Sequence, residues 1–264
     1  MKNPLSINPK IETEKIVNFL KKTFEEQKID KVVLGLSGGI DSTVALYLLR
    51  EVLPAGNTFA IQMDYKPRKK LSIDLKGINV INISIKKIVD EFQTKDSVPK
   101  FFIGKQRAEK NLIPSSSQNK IRLGNIMARV RMIVLFDIAK QIGGLVCGTE
   151  NKSEKLLGYF TRFGDSASDI EPISHLYKTQ IYQIAKLLKV PEQIINQSPT
   201  AGLWDGQTDE SDFGFTYEEA DQVLYLYHDR NIDINKIKKN FSNAEKIIER
   251  VKNNQFKLKT PYLI

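Results

Sequence analysis

Apolar positions along this chain switch repeatedly between two spacings. Ile11, Ile16, Leu20 and Phe24 recur near the helical period after Asn8-Pro9, a pair suited to cap and start a helix. Residues 31–36 then form a short apolar run that ends in Ser37-Gly38-Gly39, after which Val44, Ala45, Leu48, Leu49 and Val52 return to helical spacing. This reads as strand, glycine turn and helix. Residues 58–63 and 80–85 read as further buried strands, and 84–92 as the continuation into a helix. A long helical pattern covers 119–142 through Ile126, Val130, Ile133 and Val134, and residues 145–147 are one more strand. Such alternation predicts an α/β fold with an open, mostly parallel sheet and helices on both faces.

Beyond residue 176 no strand pattern returns. Residues 177–190 are helical, and Thr216-x-x-Glu219 and Ser242-x-x-Glu245 have the form of capping boxes that open further helices. These extra C-terminal helices are expected to cover the sheet rather than extend it. Residues 94–117, 198–215 and the tail after 253 read as loops, and loops of this length in a compact domain are usually functional or mobile. No linker or internal repeat divides the chain, so residues 1–264 are expected to form a single domain.

At 41% hydrophobic and 27% charged residues, 264 residues can bury a sizeable core, which excludes a disordered or fibrous protein. Cys147 is the single cysteine, so no internal disulfide forms, and the start of the chain lacks a secretory pattern. A cytoplasmic location is therefore expected. Apolar runs such as 132–136 are too short to span a membrane. Forty Lys and Arg against thirty-one Asp and Glu leave a net charge of +9, which suits anionic partners or simply a solvated basic surface.

The chemistry concentrates in Ser37-Gly38-Gly39-Ile40-Asp41-Ser42. Two glycines let the backbone turn with its N–H groups exposed, and the helix that follows aims its free amides and positive dipole end at the same point. This is a cradle for phosphate. Ser37 and Ser42 add hydroxyls, whereas Asp41 would repel a bare phosphate and belongs there if Mg²⁺ lies between them. A glycine turn with Asp at a helix start is the plain structural alternative. Neither the Gly-Lys-Ser/Thr ending of a P-loop nor a Gly-x-Gly-x-x-Gly is present.

The loop resembles the pyrophosphate loop of N-type ATP pyrophosphatases. Further along come Gly124-Asn125-Ile126-Met127-Ala128-Arg129, Gly148-Thr149-Glu150-Asn151-Lys152-Ser153-Glu154, Gly158-Tyr159-Phe160-Thr161-Arg162-Phe163-Gly164-Asp165, Asp169, Tyr177-Lys178, Pro199-Thr200 and Asp209-Glu210. This ordered set, spanning almost the whole chain, resembles the ammonia-dependent NAD synthetases. The resemblance implies an adenine nucleotide alpha hydrolase-like fold and ATP-dependent amidation of deamido-NAD by ammonia through an adenylate, releasing AMP and pyrophosphate. It implies that Ser37, Gly38, Gly39, Asp41 and Ser42 hold the ATP phosphates, with Asp41 and Glu154 on Mg²⁺. Thr149 would contact ATP, Lys178 and Thr200 would bind its phosphates from the opposite side, and Arg162, Asp165 and Asp169 would surround the pyridine end of the dinucleotide. Asp41, Lys178 and Asp165 are the expected catalytic set, ammonia rather than glutamine the expected nitrogen donor, and a homodimer the expected assembly, without nucleic acid or membrane.

Duller readings stay open at several positions. Glu154 and Asp165 could be solvated carboxylates and Lys178 part of the basic surface; Arg129 either lines the substrate site or forms an ion pair on the long helix. His175 and His228 read as structural and Cys147 as core. The segment 63–70, basic and short, departs from the family pattern and leaves the adenine contacts unassigned. A tRNA-modifying relative and a non-catalytic nucleotide-binding protein are the rival functions; pyrophosphate release that depends on deamido-NAD separates all three.

Overall fold

A computed structural model describes residues 4–66, 73–92, 116–200, 202, 206–259 and 261–262, without the side chains of 116–118. Most of the expected loop at 94–117, residues 67–70 of the basic segment, and Ala201, Leu203 and Trp204 lie outside the described residues.

Helix α1 (Pro9–Gln27) begins where Asn8 accepts from the amides of Lys10 and Ile11, with proline at the first helical position, and ends at Lys28 in the left-handed region. Four strands follow at intervals: β1 (Val32–Gly35), β2 (Thr58–Asp64), β3 (Asn79–Ser84) and β4 (Leu145–Cys147). They lie in the order β3-β2-β1-β4, all parallel, with Val32 opposite both Thr58 and Leu145. Ile170 adds a single parallel bridge to Cys147.

Strand alternation explains the two helical layers. Val32 and Leu34 point into a core with Ile16, Leu20 and Phe24 of α1, Leu48 and Leu49 of α2 (Ile40–Arg50), and Ile181 and Ile184 of α6 (Lys178–Leu187). Val33 points the other way, against Val89 of α3 (Lys86–Glu91) and Met127 and Val130 of α4 (Ser116–Ile142). Burying each of these aliphatic side chains contributes roughly 2 kcal/mol. Covered on both faces, β1 is a continuous apolar run, whereas β3, at the edge of the sheet, alternates half-buried and exposed residues and is not the buried strand expected at 80–85. The chain builds outward from β1 to β3, then crosses back along α4 to place β4 on the far side of β1. That reversal opens a crevice at the carboxyl ends of β1 and β4.

A third apolar cluster joins α5 (Lys152–Leu157), α9 (Tyr217–Leu224) and α11 (Ala244–Asn254), with Phe213 and Ile237 from the short helices α8 (Asp209–Phe213) and α10 (Ile234–Ile237). The short α7 (Glu192–Ile195) follows α6. Three expectations need correction. The loop at 198–215 contains α8, capped by Thr208 and closed by Gly214, and is too short to display a helical period. Thr216 caps α9, but Glu219 does not complete the box; its carboxylate accepts from the backbone and side chain of Asn243. Held in that way, Asn243 rather than Ser242 precedes α11, and Glu245 pairs with Lys238 instead. Among the described residues, no helix is long and apolar enough to cross a membrane.

Candidate active site

The crevice is lined first by the turn between β1 and α2. Gly38 has φ 83, a conformation that side-chain-bearing residues rarely adopt, and Gly39 precedes the helix in extended geometry. The Gly39 amide donates to Ser37 Oγ, while Ser42 and Thr43 return their hydroxyls to the Gly39 carbonyl at 3.1 and 2.9 Å. Ser37 and Ser42 oxygens stand 3.0 Å apart. The turn is thus tied by its own side chains.

From the other side of the crevice comes the segment after β4. Asn151 caps α5 by accepting from the Glu154 amide at 3.0 Å, and Glu154 Oε2 accepts from the Asn151 amide in return. The capping oxygen leaves the amide nitrogen of Asn151 free to donate to Asp41 Oδ1. One asparagine therefore sets both acidic residues. Lys178, at the first turn of α6, completes the group: its Nζ lies 2.5 Å from Asp41 Oδ2 and 3.3 Å from Glu154 Oε1. Its side chain is 3% exposed, against 16% for Asp41 and 17% for Glu154. None of the three is a solvated surface charge.

Burial disfavours the Lys178 ammonium, but the carboxylates of Asp41 and Glu154 outweigh that and hold its pKa well above the ordinary lysine range. Glu154 moves upward, because burial exceeds the attraction of Lys178. A buried ion pair of this kind needs supporting hydrogen bonds. The Lys178 amide donates to Ser153 Oγ, whose hydroxyl donates to Asp221 Oδ1, and Asp221 Oδ2 accepts from the amide and hydroxyl of Thr179. Burial pushes the Asp221 carboxyl up to about 6. The Lys178 ammonium also lies 5.3 Å from the Tyr217 ring centre, and the Tyr217 hydroxyl donates to Asp209 Oδ2.

The remaining expected residues divide. Asp165 accepts from the Thr161 amide at 2.8 Å, which folds the 161–165 loop back on itself. Arg162 lies 5.2 Å from the Phe256 ring, and the Arg162 carbonyl accepts from Arg129 Nε. Arg129 thus joins α4 to this loop through a carbonyl rather than the ion pair weighed from sequence. Asp169 Oδ2 accepts from the Val146 amide at the sheet edge. Thr149 is half-buried at the end of β4. No hydrogen bond joins Thr200 to this set among the described residues; its hydroxyl accepts from the Gly202 amide. His175 is within 2.7 Å of Glu12, far from the crevice, and Cys147 is buried.

Sequence reasoning missed Asp221, which looks like one more polar residue of a helix. The available signal was its place beside Ala220 and Leu224 on the buried face. It also missed Lys257, which donates to the carbonyls of Gly158 and Phe160 at 2.6 and 3.0 Å and ties the end of the chain to the Arg162 loop.

Strand order, crevice and glycine turn define a doubly wound α/β protein whose polar site lies at the topological switch point. Residues 12–261 match the family model for NAD synthase. The chain is 37% identical over 264 residues to the NH(3)-dependent NAD(+) synthetase of Fusobacterium nucleatum, an alignment covering 99% of this chain and 98% of that one. Among solved structures, an NMN synthetase from Francisella tularensis superposes with a TM-score of 0.76 at 31% identity, covering 98% of this chain and 99% of the other. An NH3-dependent NAD synthetase from Campylobacter jejuni does so with a TM-score of 0.71 at 31% identity, covering 98% and 100%. The chain belongs to the NAD synthase family.

Proposed function

We infer that the protein makes NAD from deamido-NAD, ATP and ammonia. The nicotinate carboxylate attacks the α-phosphorus of ATP, pyrophosphate leaves, and ammonia displaces AMP from the acyl adenylate to form the amide. The observation that carries this reading is the convergence of Asp41, Glu154 and Lys178 beside the glycine turn, in a chain of this family.

In this reading the turn of Ser37, Gly38, Gly39 and Ser42, with the first amides of α2, receives the ATP phosphates. Lys178 offsets the charge that develops on the departing pyrophosphate. Its ammonium is paired with Asp41 and Glu154 at the crevice. Thr149 contacts ATP, Thr200 binds phosphate once the substrate brings the two sides together, and Arg162, Asp165 and Asp169 receive the pyridine end. Arg129 supports them through the Arg162 carbonyl.

The acidic pair also fits Mg²⁺. Two hard oxygen donors, Asp41 and Glu154, approach one point that a cation already occupies, the Lys178 ammonium. Mg²⁺ characteristically takes one or two carboxylates and completes its shell with waters and substrate phosphates. Asp41 and Glu154 would hold it, and when bound it supplies shielding of the triphosphate charge.

The chain acts as one domain and as a homodimer through α4, where Ile121 and Ile133 are 55% and 61% exposed and a 260 Å³ groove is lined by Ile121, Arg122, Asn125, Ile126 and Arg129. It works in the cytoplasm, which suits its unpaired buried cysteine. The deciding experiment incubates the protein with Mg-ATP, ammonium chloride and either deamido-NAD or nicotinate mononucleotide, the latter because a similar fold belongs to an NMN synthetase. AMP and NAD appearing only with the dinucleotide support the reading; turnover confined to the mononucleotide overturns its substrate.

A further inference from the structure

Helix α6 follows Tyr177, whose side chain makes no capping bond, so the first amides of the helix must find acceptors elsewhere. They find them on two other helices. The Lys178 amide donates to Ser153 Oγ of α5 and the Thr179 amide to Asp221 Oδ2 of α9, both at 2.8 Å. Asp221 Oδ1 accepts from that same Ser153 hydroxyl, and Oδ2 accepts from the Thr179 hydroxyl as well. A carboxylate that is 0% exposed is thus set where a helix start favours negative charge.

At pH 8 the Asp221 carboxyl, raised by burial to about 6, is ionised and only accepts hydrogen bonds. Ser153 therefore turns its hydroxyl hydrogen to Asp221 and its lone pairs to the Lys178 amide. Two consecutive amides of α6 are fixed in this way, and with them the backbone from which the Lys178 side chain extends. The far end of that side chain meets the same helix: Tyr217 and Asp221 are four residues apart, hence on one face of α9, and the Tyr217 ring centre is 5.3 Å from the ammonium. One helix thus holds the lysine both by its backbone and by its charge.

Resting on the reading that Lys178 offsets charge on the departing pyrophosphate, we propose that Asp221 is a positioning residue for adenylation: a cap delivered from α9 that fixes the first turn of α6 and, through it, the place of the Lys178 ammonium. Stabilising a leaving group requires the donor to stand in place before charge develops, and a misplacement of about 1 Å costs on the order of a hundredfold. Without the Asp221 carboxylate, the Thr179 amide and the Ser153 hydroxyl have no acceptor inside the protein. The first turn relieves this only by unwinding, and Lys178, its first residue, moves with it.

The test compares Asp221→Leu, close in shape but without an acceptor, with Asp221→Asn, which keeps an oxygen for Thr179 and an amide to donate to Ser153 Oγ. Deamido-NAD-dependent exchange of labelled pyrophosphate into ATP at pH 8 reads adenylation alone. The leucine variant is expected to lose about thirtyfold in kcat with KM for deamido-NAD held within about twofold, and the asparagine variant to stay within about threefold of the parent. In a Lys178→Ala background the leucine substitution is expected to cost less than about threefold more, because the group it positions is already gone. Full kcat in Asp221→Leu, the same loss in both backgrounds, or an asparagine variant as slow as the leucine one overturns the proposal. Where Asp221→Leu fails to fold, Thr179→Val, which removes one bond to Asp221, takes its place: a loss of about fivefold that vanishes in Lys178→Ala is expected, and an equal loss in both backgrounds is contrary. Undiminished exchange in Lys178→Ala removes the lysine's charge role and the proposal with it; no exchange in the unaltered protein removes the amidation reading beneath both.

Discussion

Asn151 donates its side-chain amide to Asp41 Oδ1 at 2.9 Å across the crevice, while its side-chain oxygen caps α5. Asn151→Ala removes both bonds. Loss of the cap is expected to cost about 1 kcal/mol in chemical denaturation. Asn151→Asp keeps the capping oxygen but sets a second carboxylate against Asp41. Its stability is expected to stay nearer the parent, while its activity falls at least as far as that of the alanine variant. Equal activity in all three proteins contradicts a positioning role.

Asp41→Ala and Glu154→Ala are each expected to lower kcat/KM by about a hundredfold or more, near 3 kcal/mol of transition-state stabilisation. Lys178→Ala slows pyrophosphate exchange more than it weakens deamido-NAD binding, because its ammonium acts on charge that grows during the reaction. Steady-state and exchange kinetics on folded variants check both. Near-normal turnover of Asp41→Ala at saturating Mg-ATP removes the loop from the site.

Asp221 gives a pH signature. Its carboxyl is held at about 6 in the folded protein against an ordinary 3.8, so the folded state binds the extra proton between those values. The stabilisation from this group is complete below the ordinary value and is lost as pH rises through about 6. The stability of the parent minus that of Asp221→Asn is therefore expected to fall by roughly 2 kcal/mol between pH 4 and 7. Urea titrations across that range measure it; a flat difference contradicts the assignment.

Ammonium chloride supports turnover, and ammonium-free glutamine is expected to support none. Release of ammonia from glutamine by a thiol needs a reachable thiolate, and Cys147 is buried with its thiol pushed far up by desolvation. Cys147→Ser serves as the control. Equal rates with both donors, abolished by that substitution in a folded protein, would make Cys147 a nucleophile after all.

The homodimer is open to a direct measurement. Ile133→Glu, on the exposed stripe of α4, is expected to shift light scattering at micromolar concentration from a dimeric to a monomeric mass. A monomeric parent with full activity removes the shared assembly.

Much of the framework was legible because local rules and tertiary demand agree. Asn8-Pro9 starts a helix by its own chemistry, and 145–147 is apolar because both faces of β4 are covered. The Ser37–Ser42 turn was readable because a backbone cradle requires glycine at Gly38 whatever surrounds it. Asn151 and Asp221 were not, since each acts through a partner distant in sequence: Asp41, and Lys178's neighbour Thr179. The start of α11 moved for the same reason, as Glu219 takes hold of Asn243 from another helix.

The acidic pair and its lysine also determine when in folding the protein becomes competent. Asp41 meets Asn151 after 110 residues and Lys178 after 137, with three strands and α4 between them. Closing loops of that size carries an entropic cost before any contact rewards it, and such distant pairings form late. The glycine turn can acquire its shape early, from its own hydroxyls, but Asp41 lacks its Lys178 partner until α6 docks. A chain emerging from the ribosome thus holds the nucleotide loop long before it holds the charge balance that makes the loop useful, and regain of activity on refolding trails the regain of helix.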